Sequence, residues 1–321
     1  MRAATRTRYG GPDVLSVRDV PSPDPGPGQL LVRVHATTVN RTDCALLQAR
    51  PAIMRLVTGL RGPRSPLLGT DFVGEVASVG PEVSGYAVGD RVFGFDDSGL
   101  GSQAQYLTID HDGNVAPMPE GVTDVEAVAS IEGAHYALAF LARTHYEPGM
   151  RVCVYGATGA IGSAAVQLLV DQGSDVIAFG PGDQLDLLRG LGATTVVDHR
   201  SQDVATYEDR VDRVLDAVGK TTFGATRHLL GPEGRYASSE PGPRGQNLVL
   251  PAVTRLRRGP RVDFPLPGNI RASLLHMSRL LSEGRFRPVI DRHYPLDAVR
   301  DAYAYVLTGQ KVGNVVLDVR S

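Results

Sequence analysis

Over the first 120 or so positions the apolar residues come in short bursts, several of them alternating with polar ones, and turn residues separate them. Residues 30–36 (Leu-Leu-Val-Arg-Val-His-Ala) follow a Pro/Gly cluster and predict a strand. Residues 72–80 alternate as Phe-Val-Gly-Glu-Val-Ala-Ser-Val-Gly, 88–94 open on a Gly-Asp turn, and 104–109 make a fourth run. Short runs with frequent turns are the pattern of a β-rich domain. Near residue 125 the period changes. Residues 124–131 and 134–143 read as helices, and strands at 151–155, 176–179, 194–197, 213–217 and 235–238 then alternate with helical stretches. That alternation produces right-handed βαβ units and a parallel sheet. A strand at 261–264 and a helix at 270–283 follow. The tail at 313–319 is strand-like, with no helix to complete another βαβ unit, and is expected to rejoin the first domain. The expected fold is α/β. A Rossmann doubly wound parallel sheet over 123–285 is inserted in a β-rich domain built from 1–122 and about 286–321. Open α/β sheets bind ligands at the carboxyl ends of their strands, so the active site is expected in a cleft between the domains.

The chemistry-bearing stretch is 151–162, Arg-Val-Cys-Val-Tyr-Gly-Ala-Thr-Gly-Ala-Ile-Gly. It reads as a buried strand, a tight glycine turn and the first turn of a helix that continues through 163–169. Gly156, Ala157, Thr158, Gly159, Ala160, Ile161 and Gly162 then form a cradle of backbone N–H groups at a helix N-terminus, the arrangement that holds a dinucleotide pyrophosphate. Gly156 turns the chain, Gly159 lets the backbone approach the phosphates, and Gly162 lets helix and strand pack closely. The spacing is G-x-x-G-x-x-G, and the chain has 37 glycines. The strand before and the helix after are what lift the motif above composition.

Composition narrows the classes. The length of 321 residues fits two domains, and 42% hydrophobic with 21% charged residues is an ordinary globular balance. A net charge of −2 gives no electrostatic reason to expect nucleic acid or a membrane surface as partner. Among the basic residues only Lys220 and Lys311 are lysines; the arginines are scattered among acids. Two cysteines build no disulfide framework, and Cys153 is expected to be a small buried residue of its strand. No apolar leader opens the chain and no apolar run reaches the length of a spanning helix, so a cytoplasmic setting is expected.

These pieces, in this order, resemble the medium-chain dehydrogenase/reductase superfamily, and within it the zinc-independent, quinone-oxidoreductase-like branch. The matching segments are 26–34 (Gly-Pro-Gly-Gln-Leu-Leu-Val-Arg-Val), 39–43 (Val-Asn-Arg-Thr-Asp), 69–76 (Gly-Thr-Asp-Phe-Val-Gly-Glu-Val) and 88–94. They continue with 132–138 (Glu-Gly-Ala-His-Tyr-Ala-Leu), the glycine turn, 191–193, 216–219 (Asp-Ala-Val-Gly) and 313–317. The resemblance spans nearly the whole chain and implies a GroES-like β-barrel for the first domain. Zinc-using members carry a Cys-x-x-Asp start and a Gly-His-Glu segment. Here Asn40 stands in place of that cysteine, and Thr70 and Asp71 in place of the His-Glu pair. Zinc needs three or four N, S or O ligands in tetrahedral reach, so no metal is expected. Cys44 lies close by, without a second thiol or a paired His.

Without a Lewis acid, the expected reaction is hydride transfer from NAD(P)H to a quinone, an enone or a related conjugated carbonyl, which is the small-molecule partner the resemblance implies. Asn40 is a candidate donor to the substrate carbonyl, or else the cap of an Asx-type turn. Thr42 is a candidate proton relay. Tyr136 and His135 are candidate donors to the developing enolate, or packed residues of a helix start. Asp43 is expected to fix the loop. For the cofactor, Gly180 and Asp183 in the loop after the second Rossmann strand point to an NAD ribose, whereas His199 and Arg200 offer donors to a 2′-phosphate. The branch weighs toward NADPH over NADH. Ala217, Val218, Gly219, Ser238 and Asn314 are further candidate cofactor contacts. Residues 47–68, with a short helix around 50–57, are a candidate cover over the cleft, and 248–264 either line its other wall or form an interface strand. Relatives commonly dimerise through the Rossmann sheet edge, so a homodimer is expected. Alternatives are an aldehyde or ketone reductase, a non-redox biosynthetic enzyme on the same scaffold, or a nicotinamide-binding sensor or structural protein without turnover.

Overall fold

A computed structural model describes residues 1–52, 54–265 and 268–320. Ile53 of the candidate cover lies outside the described residues. The chain forms two compact units, Met1–Glu132 with Asn269–Ser321, and Gly133–Gly268.

In chain order the first unit begins with β1 (Arg2–Thr5), β2 (Ser16–Asp19), β3 (Gln29–Thr38), α1 (Arg41–Gln48) and α2 (Met54–Thr58). It continues with β4 (Asp71–Val79), β5 (Arg91–Phe95), β6 (Tyr106–Asp110), β7 (Val115–Pro117) and α3 (Asp124–Ala129). Helix α4 (Glu132–Arg143) carries the chain into the second unit. There follow β8 (Arg151–Tyr155), α5 (Ala160–Asp171), β9 (Asp175–Gly180), α6 (Leu185–Gly190), β10 (Thr195–Asp198) and β11 (Val211–Asp216). Then come α7 (Phe223–Thr226), β12 (Leu230–Ser238), α8 (Gln246–Arg255) and β13 (Arg261–Asp263). The chain returns to the first unit with α9 (Ile270–Ser282), β14 (Ile290–Pro295), α10 (Val299–Leu307) and β15 (Asn314–Asp318).

The first unit is organised on β3. One edge of this ten-residue strand pairs antiparallel with β4; along the other lie β6, against Gln29–Arg33, and β15, against Ala36–Thr38. The full path is β14-β15-β3-β4-β5-β7. Alternation explains the strand: Leu30, Val32, Val34 and Ala36 are buried while Arg33 is exposed. The core gathers Leu30, Val32, Phe72, Val76, Val92 and Leu317 with Tyr303 and Val306 of α10. The tail does rejoin the first domain, as Val316, Leu317 and Asp318 face Thr38, Thr37 and Ala36. Helices α3 and α9 also belong to this unit, so the chain crosses at 132/133 and 268/269.

The second unit is a six-stranded sheet in the order β10-β9-β8-β11-β12-β13, with every pair parallel. That is the doubly wound Rossmann order, with its switch point between β8 and β11. Its strands are buried on both faces, as helices on both sides require: Val152, Cys153 and Val154 are fully buried, as are Val176, Ile177, Ala178 and Phe179. The stretch offered as cleft wall or interface strand overlaps the helix α8 at residues 248–255, and β13 after it is an edge strand of the sheet. Pro251 sits inside that helix, which is why its pattern is hard to read as helical.

Candidate active site

The glycine turn folds as its spacing requires. Gly156 follows β8 with φ +76, a conformation glycine adopts without a Cβ clash, and Gly159 is the N-cap of α5. The three glycines are not equivalent. A Cβ at Gly162 would lie 2.2 Å from the Gly156 carbonyl oxygen, and one at Gly156 would lie 2.5 Å from Val218. A Cβ at Gly159 would meet nothing nearer than 3.7 Å. Gly162 and Gly156 thus make room for protein, whereas Gly159 leaves open space at the helix start. That opening, bounded by Ala157, Thr158, Ala160 and Ile161 on the same turn, is a cradle that fits a dinucleotide pyrophosphate. The start of α4 lies against the same helix start, because a Cβ at Gly133 would sit 2.7 Å from the backbone of Ala160.

Val218 is held over the turn by Asp216. Oδ1 of this buried carboxylate accepts the backbone N–H groups of Val218 (3.2 Å), Gly219 (2.8 Å) and Lys220 (3.3 Å). Oδ2 accepts from Thr221 N (3.3 Å), Tyr236 Oη (3.1 Å) and Ser238 Oγ (3.3 Å). Burial pushes the Asp216 pKa up, and these bonds pull it back. Ala217, Val218, Gly219 and Ser238 are therefore one loop system tied to a single side chain. Asp216 entered the sequence reading only as part of a matching segment; the signal for it is an acid ending a buried strand before a glycine turn.

After β9 the chain turns through Pro181 into a short 3₁₀ turn, Gly182–Gln184. Asp183 and Arg200 face each other there at 3.6 Å, both about two-thirds exposed. His199 bonds through its backbone N–H to Gly180 O (3.1 Å), and its ring lies 6.2 Å from that of Tyr155. The acid and the base that pointed to different nucleotides are thus partners. A cavity of about 690 Å³ elsewhere in this unit, lined by Arg143, Arg235, Arg255 and Arg261 beside α8 and β13, contains none of the glycine-turn residues.

In the first unit, Asn40 caps α1. Its Oδ1 accepts the Asp43 N–H (2.8 Å), and Asp43 Oδ2 accepts the Asn40 N–H (3.1 Å), a reciprocal capping box. Its amide nitrogen donates to Thr70 Oγ1 (2.8 Å) and Thr38 Oγ1 (3.3 Å). Both amide hydrogens are directed at protein oxygens, and Asn40 forms the Asx-type cap of α1. Asp71 completes the knot, accepting Thr38 N (2.7 Å) and Thr37 Oγ1 (3.0 Å) on Oδ1 and Thr38 Oγ1 (2.5 Å) on Oδ2. Burial raises the pKa of both carboxyls, and Asp71 raises Asp43 further.

Thr42, the second residue of α1 and half-buried, donates to Glu132 Oε1 at 3.3 Å. Burial pushes the Glu132 carboxyl up to about 7, against the pull of Lys311. Burial pushes His135 down to about 4, so its ring is neutral near pH 7. The His135 and Tyr136 rings meet edge to face at 5.5 Å. Glu132 was quoted only within a matching segment and Lys311 only as one of two lysines. Asn314 opens β15 and donates to Val289 O (3.0 Å), so the candidate cofactor contacts fall in both units.

The nicotinamide and the zinc implied by the superfamily fare differently. The glycine turn is a cradle of the right kind. The zinc positions are not: Asn40 and Thr70 are bonded to each other, and Asp71 is consumed by Thr37 and Thr38. Among the described residues no group of three or more His, Cys, Asp or Glu could hold a metal ion. Cys44 and Cys153 are buried thiols pushed up to about 12, unsuited to ligation or attack. Nor, among the described residues, is any helix long and apolar enough to cross a membrane.

Two family models match the chain, an alcohol dehydrogenase GroES-like domain over residues 26–120 and a zinc-binding dehydrogenase over 191–317. The chain is 30% identical over 333 residues to the 2-methylene-furan-3-one reductase of Solanum lycopersicum, covering 99% of this chain and 79% of that one. It is 33% identical over 315 residues to a mycocerosic acid synthase-like polyketide synthase of Mycobacterium tuberculosis; the match takes in 92% of this chain but spans only 14% of the length of that relative. Among solved structures, the quinone oxidoreductase from Coxiella burnetii superposes with a TM-score of 0.88 at 25% identity, over 100% of this chain and 99% of that one.

Proposed function

The chain belongs to the medium-chain dehydrogenase/reductase superfamily, in its quinone-oxidoreductase-like branch, and on that premise we propose that this NAD(P)H-dependent oxidoreductase reduces a quinone or a C=C conjugated to a carbonyl, with NADPH as donor. The observation that carries the acceptor class is the knot of Asn40, Thr70 and Asp71 in place of a metal site. Oxidising an unactivated alcohol calls for a Lewis acid at that place, whereas a conjugated acceptor spreads the incoming charge onto its own oxygen. The tomato relative carries a name that describes such an acceptor, a methylene conjugated to a ring ketone.

When bound, the nicotinamide supplies a hydride. This chain's residues do the rest. The turn at Gly156–Gly162 binds the pyrophosphate, with Val218 fixing its shape. Arg200, drawn from its weak exposed pairing with Asp183, takes the 2′-phosphate. Asn40 and Asp43 hold α1 so that Thr42 presents its hydroxyl to the acceptor. His135, neutral, and Tyr136 stand at the start of α4 as further hydrogen-bond donors.

The test is side-by-side fluorescence titration with NADPH and NADH, followed by cofactor consumption with quinones, enones, simple aldehydes and alcohols. The expected result is about tenfold tighter binding of NADPH, lost in Arg200→Ala, with turnover on conjugated acceptors. Equal or tighter NADH binding overturns the cofactor assignment. Turnover confined to unconjugated aldehydes or alcohols overturns the acceptor class.

A further inference from the structure

We propose that Glu132 is the proton source behind Thr42: a buried acid that resupplies the Thr42 hydroxyl each time this hydroxyl protonates a reduced substrate. The inference rests on the conjugated-acceptor reading above and deepens it.

Three observations meet at Glu132. It is only 5% exposed, yet it touches the half-buried Thr42 hydroxyl at 3.3 Å, so solvent reaches the acid poorly and Thr42 more readily. A buried carboxyl carries a solvation cost that favours its protonated form, and in that form the same contact runs with the carboxyl donating. Lys311, half-buried in the segment before β15, has its Nζ bonded to Gly313 O at 2.5 Å, and its charge acts on Glu132. The cation eases formation of the carboxylate once a proton has left.

The surrounding charges sharpen the balance. Asp71 of β4 and Asp97 of the loop after β5 oppose ionisation of Glu132, while Lys311 favours it. Lys311 in turn is faced by Arg41 and Cys44 of α1 and by Asp291 of β14. The neighbouring Asp43 carboxyl is fixed in the capping box, where it accepts the Asn40 N–H. Burial with these opposing charges leaves the acid poised at about 7. A general acid works best when poised near the operating pH.

The step balances. Hydride adds to the β-carbon of the acceptor and its electron pair moves toward the carbonyl oxygen. The Thr42 O–H bond breaks as the α-carbon or that oxygen gains a proton. The Glu132 O–H bond breaks as the Thr42 O–H re-forms, leaving a carboxylate that the Lys311 charge favours. Solvent returns the proton to Glu132 before the next turnover.

The experiment compares the wild type with Glu132→Gln, Glu132→Asp and Lys311→Met. In the wild type, kcat for an enone is expected to fall as pH rises past about 7, because the acid is then ionised. Glu132→Gln should lower kcat about 100-fold and abolish that limb, with KM and NADPH affinity unchanged. Glu132→Asp should keep the limb at reduced rate. Lys311→Met should move the limb to higher pH, since the cation that favours the carboxylate is gone. A second readout needs no turnover: carbon-13 NMR of the cofactor-free protein labelled at glutamate carboxyls should show one carboxyl titrating near 7, absent in Glu132→Gln. If Glu132→Gln keeps both kcat and the limb, or if no glutamate titrates above pH 6, the relay is overturned while the reductase reading stands. If the wild type reduces no conjugated acceptor at any pH, the reading itself fails and the relay falls with it.

Discussion

The glycine turn of the second unit and the Asn40–Asp71 knot of the first each hold a loop in one shape, by opposite means. In the turn, backbone packs on backbone: the space beside Gly162 is filled by the Gly156 carbonyl, and that beside Gly156 by Val218. In the knot, side chains from the end of β3, the cap of α1 and the start of β4 bond one another around two buried carboxyls. The first structure is broken by adding an atom and the second by removing one. The turn can therefore be legible as a spacing of residues with no side chain, while the knot depends on partners some 30 residues apart.

The comparison is broken most severely at Asp71. Replacing it by alanine leaves the Thr38 N–H and the Thr38 hydroxyl without their buried acceptor, while the Thr37 hydroxyl keeps the backbone carbonyl of residue 71 at 2.7 Å. The expected loss is about 3 to 5 kcal/mol in urea unfolding, with Asp71→Asn costing less because one acceptor oxygen remains. An Asp71→Ala protein as stable as its parent would show that the knot is decorative.

A sharper contrast lies within the turn. Gly162→Ala should cost about 2 to 3 kcal/mol, since the atom it meets is backbone and cannot swing aside. Gly159→Ala should cost under about 1 kcal/mol yet weaken NADPH binding by about tenfold, because its Cβ enters the opening left for the pyrophosphate. Thermal unfolding and fluorescence titration of the same two variants separate the outcomes. Equal effects of both on stability would contradict the division of labour between the glycines.

An intermediate effect on stability belongs to Asn40→Ala. Losing the cap and the two amide bonds should cost about 1 to 2 kcal/mol, with cofactor affinity unchanged and kcat lowered only through a looser Thr42. A drop in kcat of a thousandfold with stability intact would mark Asn40 as a direct substrate donor.

Much of the fold was open to reading from the chain. The alternation at 30–36 and 72–80, the βαβ rhythm after residue 150 and the return of the tail at 313–319 each correspond to an observed element. What escaped were elements whose local pattern conflicts with their context. The helix α8 has Pro251 inside it, and α10 is recognised by the apolar face that Ala302, Tyr303 and Val306 turn to the core of the first unit.

The site divides in the same way. The sequence by itself determined the glycine turn, because backbone packing there needs only the glycines to be specified. It also carries Asn40 and Thr70, side chains that are not usual zinc ligands, at two of the zinc positions, and ligand identity is written in the side chains themselves. Only the tertiary structure decided that the Asn40 amide points at Thr38 and Thr70, that Asp216 ties Val218 over the turn, that Arg200 faces Asp183, and that Thr42 donates to the buried Glu132, on which the Lys311 charge acts. Each of these is a matter of which polar groups are left with which partners after burial, and burial depends on segments that meet only when the chain is folded.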